Sequence, residues 1–220
     1  MNWQRFMDIT RRYNQKNRWL IDHAYQSAKA SHRPQTRESG ERYFEHVRAV
    51  PLTILLEFNL WEYFRITSGL LHDTIEDTTI FGNKTKMSYQ DLTNQARFIM
   101  TKTYGRRTAE AVIAVTRPHI DNTQFYTKSE TENYSLDLLR DSQDGIILKM
   151  GDRLHNLRTL WHMPEEKITA KIIETRDRYY PIFELARKDH PTVVSYAINE
   201  MEKAISKIES RSLVGNPHKG

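Results

Sequence analysis

The chain has 220 residues, enough for one ordinary domain with a single core, and 38% of them are hydrophobic against 28% charged. It contains no cysteine, which excludes disulfides and thiolate metal sites, so any metal would be held by His, Asp, Glu or neutral oxygen. The net charge of +5 favours an anionic partner, but the basic residues are scattered rather than gathered in one run, which argues against nucleic acid.

In chain order, the opening MNWQRFMDITRRYNQKNRWL has no uninterrupted apolar core and does not read as a secretory signal. No later run approaches membrane-spanning length, so the expected location is cytoplasmic. Ser31 to Arg42 is polar and carries Pro34 and Gly40, the composition of a loop with a tight turn. An apolar helix follows, with His46 at its head and Val47, Val50, Leu52 and Leu55 behind it. After HDTIED, His72 to Asp77, the stretch Thr78 to Ser88 again reads as a loop. Helical spacing recurs in RRTAEAVIAVTR, in the run from Glu132 to Leu160 and in PTVVSYAINEMEKAISKIES, with Pro118 and Pro164 at boundaries and Pro191 in a first turn. The pattern predicts an all-α fold in a single domain over residues 1–211, with a disordered tail over 212–220.

Three segments carry candidate chemistry. On a helix, Asp73, Glu76 and Asp77 fall at i, i+3 and i+4 and share a face. Carboxylates this close repel one another, and a divalent cation would offset that, although a solvated acidic helix end gives the same cluster. In KMGDRLHNLRTL, Met150, Leu154, Leu157 and Trp161 form an apolar stripe, while Asp152, His155, Asn156 and Thr159 form a polar one. Asp152 could ligate a metal, or could pair with Lys149 or Arg153 on the surface. In RESGERYFEHV, His46 could be a ligand or a packed capping residue, and Arg37 and Arg42 could be ordinary surface charges.

Together, AYQSAKASHRPQTRESGERYFEHV, LLHDTIEDT and ILKMGDRLHNLRTL resemble the HD hydrolase domain of RelA/SpoT stringent-response enzymes, in the same order. YGRRTAEAVIAVTR and ETRDRYYPI echo two further family segments, so the resemblance runs from about Ala24 to Ile182. It implies an HD-type, metal-dependent, cytoplasmic hydrolase that removes pyrophosphate from the 3′ position of ppGpp or pppGpp. His46, His72, Asp73 and Asp152 would be the metal ligands, with Mn²⁺ the expected ion and other divalent metals open. Glu76 and Asp77 would handle the protons. Arg37, Asn156 and Thr159 would shape the nucleotide pocket, with Arg153 a weaker phosphate contact. The alternatives are action on ppApp-type alarmones or NADPH, neutralisation of a small alarmone synthetase toxin, and a nucleotide-binding module without turnover.

The sequence departs from the family pattern at Glu38, where a second basic residue is usual, and at Arg42 and Val47, where prolines are usual. The first change predicts an altered base or phosphate preference, with Arg33 or Arg42 as candidates to compensate. The segment after HDTIED is longer than in the family, and Ile80 to Met87 is expected to form a flap that tunes substrate choice.

Overall fold

The structure is a computed structural model, and it describes residues 3–214. Among these the fold is all α, with no strand and a single isolated bridge between Thr36 and Arg42. Helices α1 (Trp3–Ile9) and α2 (Gln15–Ser31) precede the expected loop, in which Gly40 takes φ +80°. Then come α3 (Tyr43–Leu52), α4 (Tyr63–Leu71) and the short α5 (Thr74–Asp77). The second expected loop leads to α6 (Tyr89–Tyr104) and α7 (Arg106–Val115), which ends just before Pro118. The remainder is α8 (Lys128–Arg140), α9 (Gln143–Arg158), α10 (Glu165–Glu174), α11 (Tyr180–Phe183) and α12 (Pro191–Val214). Helix α12 therefore takes in the first three residues of the expected tail, and residues 215–220 lie outside the described residues.

Helix starts have local causes. Asn14, Ser88 and Ser142 each accept the backbone N–H three residues on, and Thr127 forms a reciprocal capping box with Glu130. The Ser142 cap splits the long helical run into α8 and α9. Pro51 lies inside α3, and the hydrogen-bond ladder gives way to a π turn at Thr53–Glu57. A second π turn, Thr175–Tyr179, joins α10 to α11.

Where one core was expected, the buried side chains segregate into two clusters. One is built on α2, α3, α4, α6 and α7, around Ile21, Tyr25, Val47, Leu70 and Val112. The other is built on α9 and α12, around Ile54, Met150, Leu154, Val194 and Met201. Helix α3 gives Val47 to the first and Val50 to the second, and α7 likewise divides Val112 from Val115, so the two are tied by shared helices. Helix α9 packs against α3, α4, α7, α8 and α12. Of its expected apolar stripe, Met150, Leu154 and Leu157 are buried, but Trp161 is 52% exposed. That expectation fails because α9 stops at Arg158 and Leu160–His162 turns as a 3₁₀ segment, which breaks the helical phase.

Candidate metal centre

Four of the expected ligands arrive from three places in the fold. His46 comes from the first turn of α3, His72 and Asp73 from the junction of α4 and α5, and Asp152 from the middle of α9. His46 Nε2 lies 3.2 Å from His72 Nε2, 3.5 Å from Asp73 Oδ2 and 3.3 Å from Asp152 Oδ1. His72 Nε2 lies 3.0 Å from Asp73 Oδ2. Donor atoms of His46, His72 and Asp152, all three buried, can be chosen within 4.8 Å of one another, the arrangement of a metal-ion site. The His72 Nδ1 is 2.8 Å from the Gly69 carbonyl, which can only accept, so Nδ1 carries a hydrogen and Nε2 faces the cluster.

The electrostatics fit a cation. Burial opposes the charges of Asp73 and Asp152, but the neighbouring imidazoles, together with Lys149 beside Asp152, outweigh it and hold both carboxyls well below the usual range. Burial likewise opposes a charged His72, yet Asp73 and Asp152 raise it to about 9. The cluster thus draws positive charge into a buried place, and two imidazoles with two carboxylates are a donor set for a borderline or hard divalent ion.

Asp152 does pair with Lys149, at 2.9 Å, but the pair is inside the site and not on the surface. Asn156 Nδ2 donates to Asp152 Oδ1 at 2.6 Å, and Arg37 Nη2 donates to Asn156 Oδ1 at 2.8 Å. A chain of contacts therefore links the loop before α3 to Asp152 on α9.

These groups line a cavity of about 210 Å³ that also takes in Glu76, Asp77, Thr159 and Arg153. Every site residue expected from the sequence except His72 is at its wall, and His72 lies directly behind. Burial, reinforced by Asp73, pushes the Glu76 carboxyl up to about 7, while its Oε1 accepts the Arg117 N–H at 2.6 Å. Asp77 is also raised, by burial and by Asp73. Arg153 pairs with Glu174 at 3.0 Å and lies 4.0 Å over the Tyr179 ring, so its guanidinium is largely engaged by protein.

Several lining residues had been given no role. Tyr43 donates towards Asp73 Oδ2 at 2.7 Å and Asp77 Oδ2 at 2.9 Å, and His32 stacks on its ring. Burial and both carboxylates raise the Tyr43 phenol, which stays protonated. Ser135 and Lys171 come from segments without a recognisable motif, whereas Arg117 and Tyr179 lie in the two weaker family-like segments. His155 Nδ1 is 2.8 Å from His46 Nδ1.

The two loops lie apart from the cavity wall for the most part. No residue of Ile80 to Met87 lines the cavity; Phe81 is buried in the α2–α7 cluster and Met87 packs against it. The apolar side chains of that segment anchor it in the core, and Lys84 Nζ reaches back to donate to the Glu76 carbonyl at 2.5 Å. Arg33 and Arg42, the candidates to compensate for Glu38, are both exposed and outside the cavity lining, and Glu38 itself pairs with Lys167 at 2.8 Å.

No family model matches the chain. It is 36% identical over 163 residues to the bifunctional (p)ppGpp synthase/hydrolase SpoT of Escherichia coli K12, a match covering 72% of this chain and 20% of that protein. This stretch is homologous to the SpoT/RelA hydrolase region. The guanosine-3′,5′-bis(diphosphate) 3′-pyrophosphohydrolase of Aquifex aeolicus is 34% identical over 164 residues, covering 74% of this chain and 21% of that protein. A GTP pyrophosphokinase of Streptomyces coelicolor is 32% identical over 164 residues, covering 74% and 17%. The chain thus spans about a fifth of the length of these relatives. Its fold is similar to a solved metazoan ortholog of SpoT, described as hydrolysing ppGpp, with TM-score 0.57, 20% identity and coverage of 89% of this chain and 96% of that one. No helix among the described residues is long and apolar enough to cross a membrane.

Proposed function

We propose that this chain is a single HD-type, Mn²⁺-dependent hydrolase domain that removes pyrophosphate from the 3′ position of ppGpp and pppGpp, leaving GDP and GTP. One observation carries the reading. The donor atoms of His46, His72, Asp73 and Asp152 converge at one end of a cavity whose wall also presents two carboxyls with raised proton affinity, Glu76 and Asp77. Homology to the hydrolase region of SpoT-type enzymes gives the same substrate class, and the excess of positive charge suits an anionic nucleotide.

His46, His72, Asp73 and Asp152 would hold the ion, which when bound supplies Lewis acidity that polarises a phosphoryl oxygen and acidifies water. Glu76, poised near neutrality, takes a proton from the attacking water. The water oxygen bonds to the phosphorus attached to the 3′ oxygen, and the bond between them breaks. Asp77 returns a proton to the departing 3′ oxygen, so the products are a 3′ hydroxyl and pyrophosphate. Tyr43 holds Asp77 against Asp73. Arg37, Asn156 and Thr159 form the nucleotide wall, while Arg153, tied to Glu174, contributes field more than direct contact. The reaction has no covalent enzyme intermediate, and a cytoplasmic place of action accompanies this substrate.

A second reading, action on ppApp-type alarmones or on NADPH, is favoured by one feature: Glu38 stands in the loop beside Arg37 and its partner Lys167 cancels its charge, so that loop lacks the family's second cation. For the main reading, chelator-stripped protein should regain ppGpp hydrolysis on addition of Mn²⁺, while Asp73→Ala and His46→Ala should neither bind the ion nor turn over. Full activity of the stripped protein, or of Asp73→Ala, contradicts the assignment.

A further inference from the structure

His155 is neither a proposed ligand nor a proposed proton carrier, yet it touches the centre. It follows Asp152 by three residues on α9, and its ring centroid is 4.9 Å from that of His46, tilted by 48°. The two Nδ1 atoms are 2.8 Å apart. Two imidazole nitrogens at that distance share one hydrogen, so one donates and the other accepts. The opposite nitrogen of His46, Nε2, faces Asp73, Asp152 and His72. A nitrogen that ligates a cation carries no hydrogen, so the His46 hydrogen sits on Nδ1 and the shared hydrogen belongs to His46. His155 Nδ1 is then the acceptor, with its own hydrogen on Nε2.

His72 has the same requirement and meets it differently, through the Gly69 carbonyl. One imidazole of the centre is therefore fixed by backbone and the other by a replaceable side chain. We infer that His155 is a positioning residue for the metal: it accepts the His46 Nδ1 hydrogen and so fixes both the tautomer and the ring plane of that ligand. The inference rests on the reading of the cluster as a divalent-metal centre.

The test is Mn²⁺ binding to the purified full chain, without nucleotide, by calorimetry or by the electron-spin signal of the free ion. His155→Phe keeps a ring but removes the acceptor, and His155→Asn restores an acceptor near the place of Nδ1. The Phe variant should bind Mn²⁺ roughly 10- to 100-fold more weakly, the usual effect of losing such a partner, and Asn should recover most of the loss. Wild-type affinity in the Phe variant, or equal losses in Phe and Asn, overturns the inference alone. A wild-type chain that binds no Mn²⁺ overturns the proposed function as well. Should the variants not fold, nitrogen NMR of the wild-type protein loaded with diamagnetic Zn²⁺ decides: hydrogen on His46 Nδ1 and His155 Nε2 is expected, and hydrogen on His155 Nδ1 overturns the assignment.

Discussion

Glu76→Gln should make the metal-free protein more stable while disabling it. Burial and the Asp73 charge raise the Glu76 carboxyl from 4.5 to about 7. A group whose proton affinity rises on folding carries no penalty below its unfolded value, and stability is lost as pH climbs through the folded value. The rise is worth about 3 kcal/mol at 1.36 kcal/mol per pH unit. Water in the cavity screens part of this, so a gain of about 1–2 kcal/mol is expected from removing the charge. Glutamine keeps an acceptor for the Arg117 N–H, so no backbone donor is orphaned. Urea unfolding in the presence of chelator, at pH 8 and at pH 5, measures the difference. The variant should be the more stable at pH 8, and the gap should shrink towards zero at pH 5. A gap of the same size at both pH values, or a variant less stable at pH 8, refutes the reasoning. The same variant should bind Mn²⁺ nearly as wild type and lose roughly 10²- to 10⁴-fold in turnover, the usual worth of a positioned base.

Two other perturbations follow from contacts. Tyr43→Phe removes a hydroxyl that touches Asp73 and Asp77, and a hydrogen bond to a charged group is worth about 1.5–3 kcal/mol, so the unfolding free energy should fall by about that much and kcat/KM roughly 10- to 100-fold; unchanged kinetics would remove Tyr43 from the site. Gly69→Ala places a Cβ at 2.9 Å from Pro51 Cβ, where α4 meets the stiff proline ring of α3, and should cost about 1–3 kcal/mol by denaturant unfolding; a neutral result would mean that the two helices part without strain.

What the sequence made legible was local. Asp73, Glu76 and Asp77 share a wall because one turn of α5 puts them there, as helical spacing requires. Asp152 and Asn156 on α9 and Thr159 at its C-terminal cap line the same cavity for the same reason. His46 could be tied to them only through the family resemblance, since its distance from Asp152 is set by the packing of α3 on α9. Tyr43 and His155 were visible inside recognised motifs, but their roles depend on what faces them: two carboxylates in one case and an imidazole in the other. Lys171 has no local signal, because it reaches the cavity from α10, and Tyr179, inside a family-like segment, owes its place to the π turn that follows α10. The length of the segment after Asp77 does not translate into reach across the cavity, because Phe81 anchors it in the core.

The most direct measurement is the identity of the phosphorus product. Mn²⁺-loaded protein would be given ppGpp, pppGpp, ppApp and NADPH, with pyrophosphate and orthophosphate resolved by phosphorus NMR. The account expects pyrophosphate from ppGpp and pppGpp, in step with GDP and GTP. Pyrophosphate from ppApp alone, or orthophosphate from NADPH alone, would contradict the substrate, and no product from any of them with the metal bound would contradict the hydrolase itself.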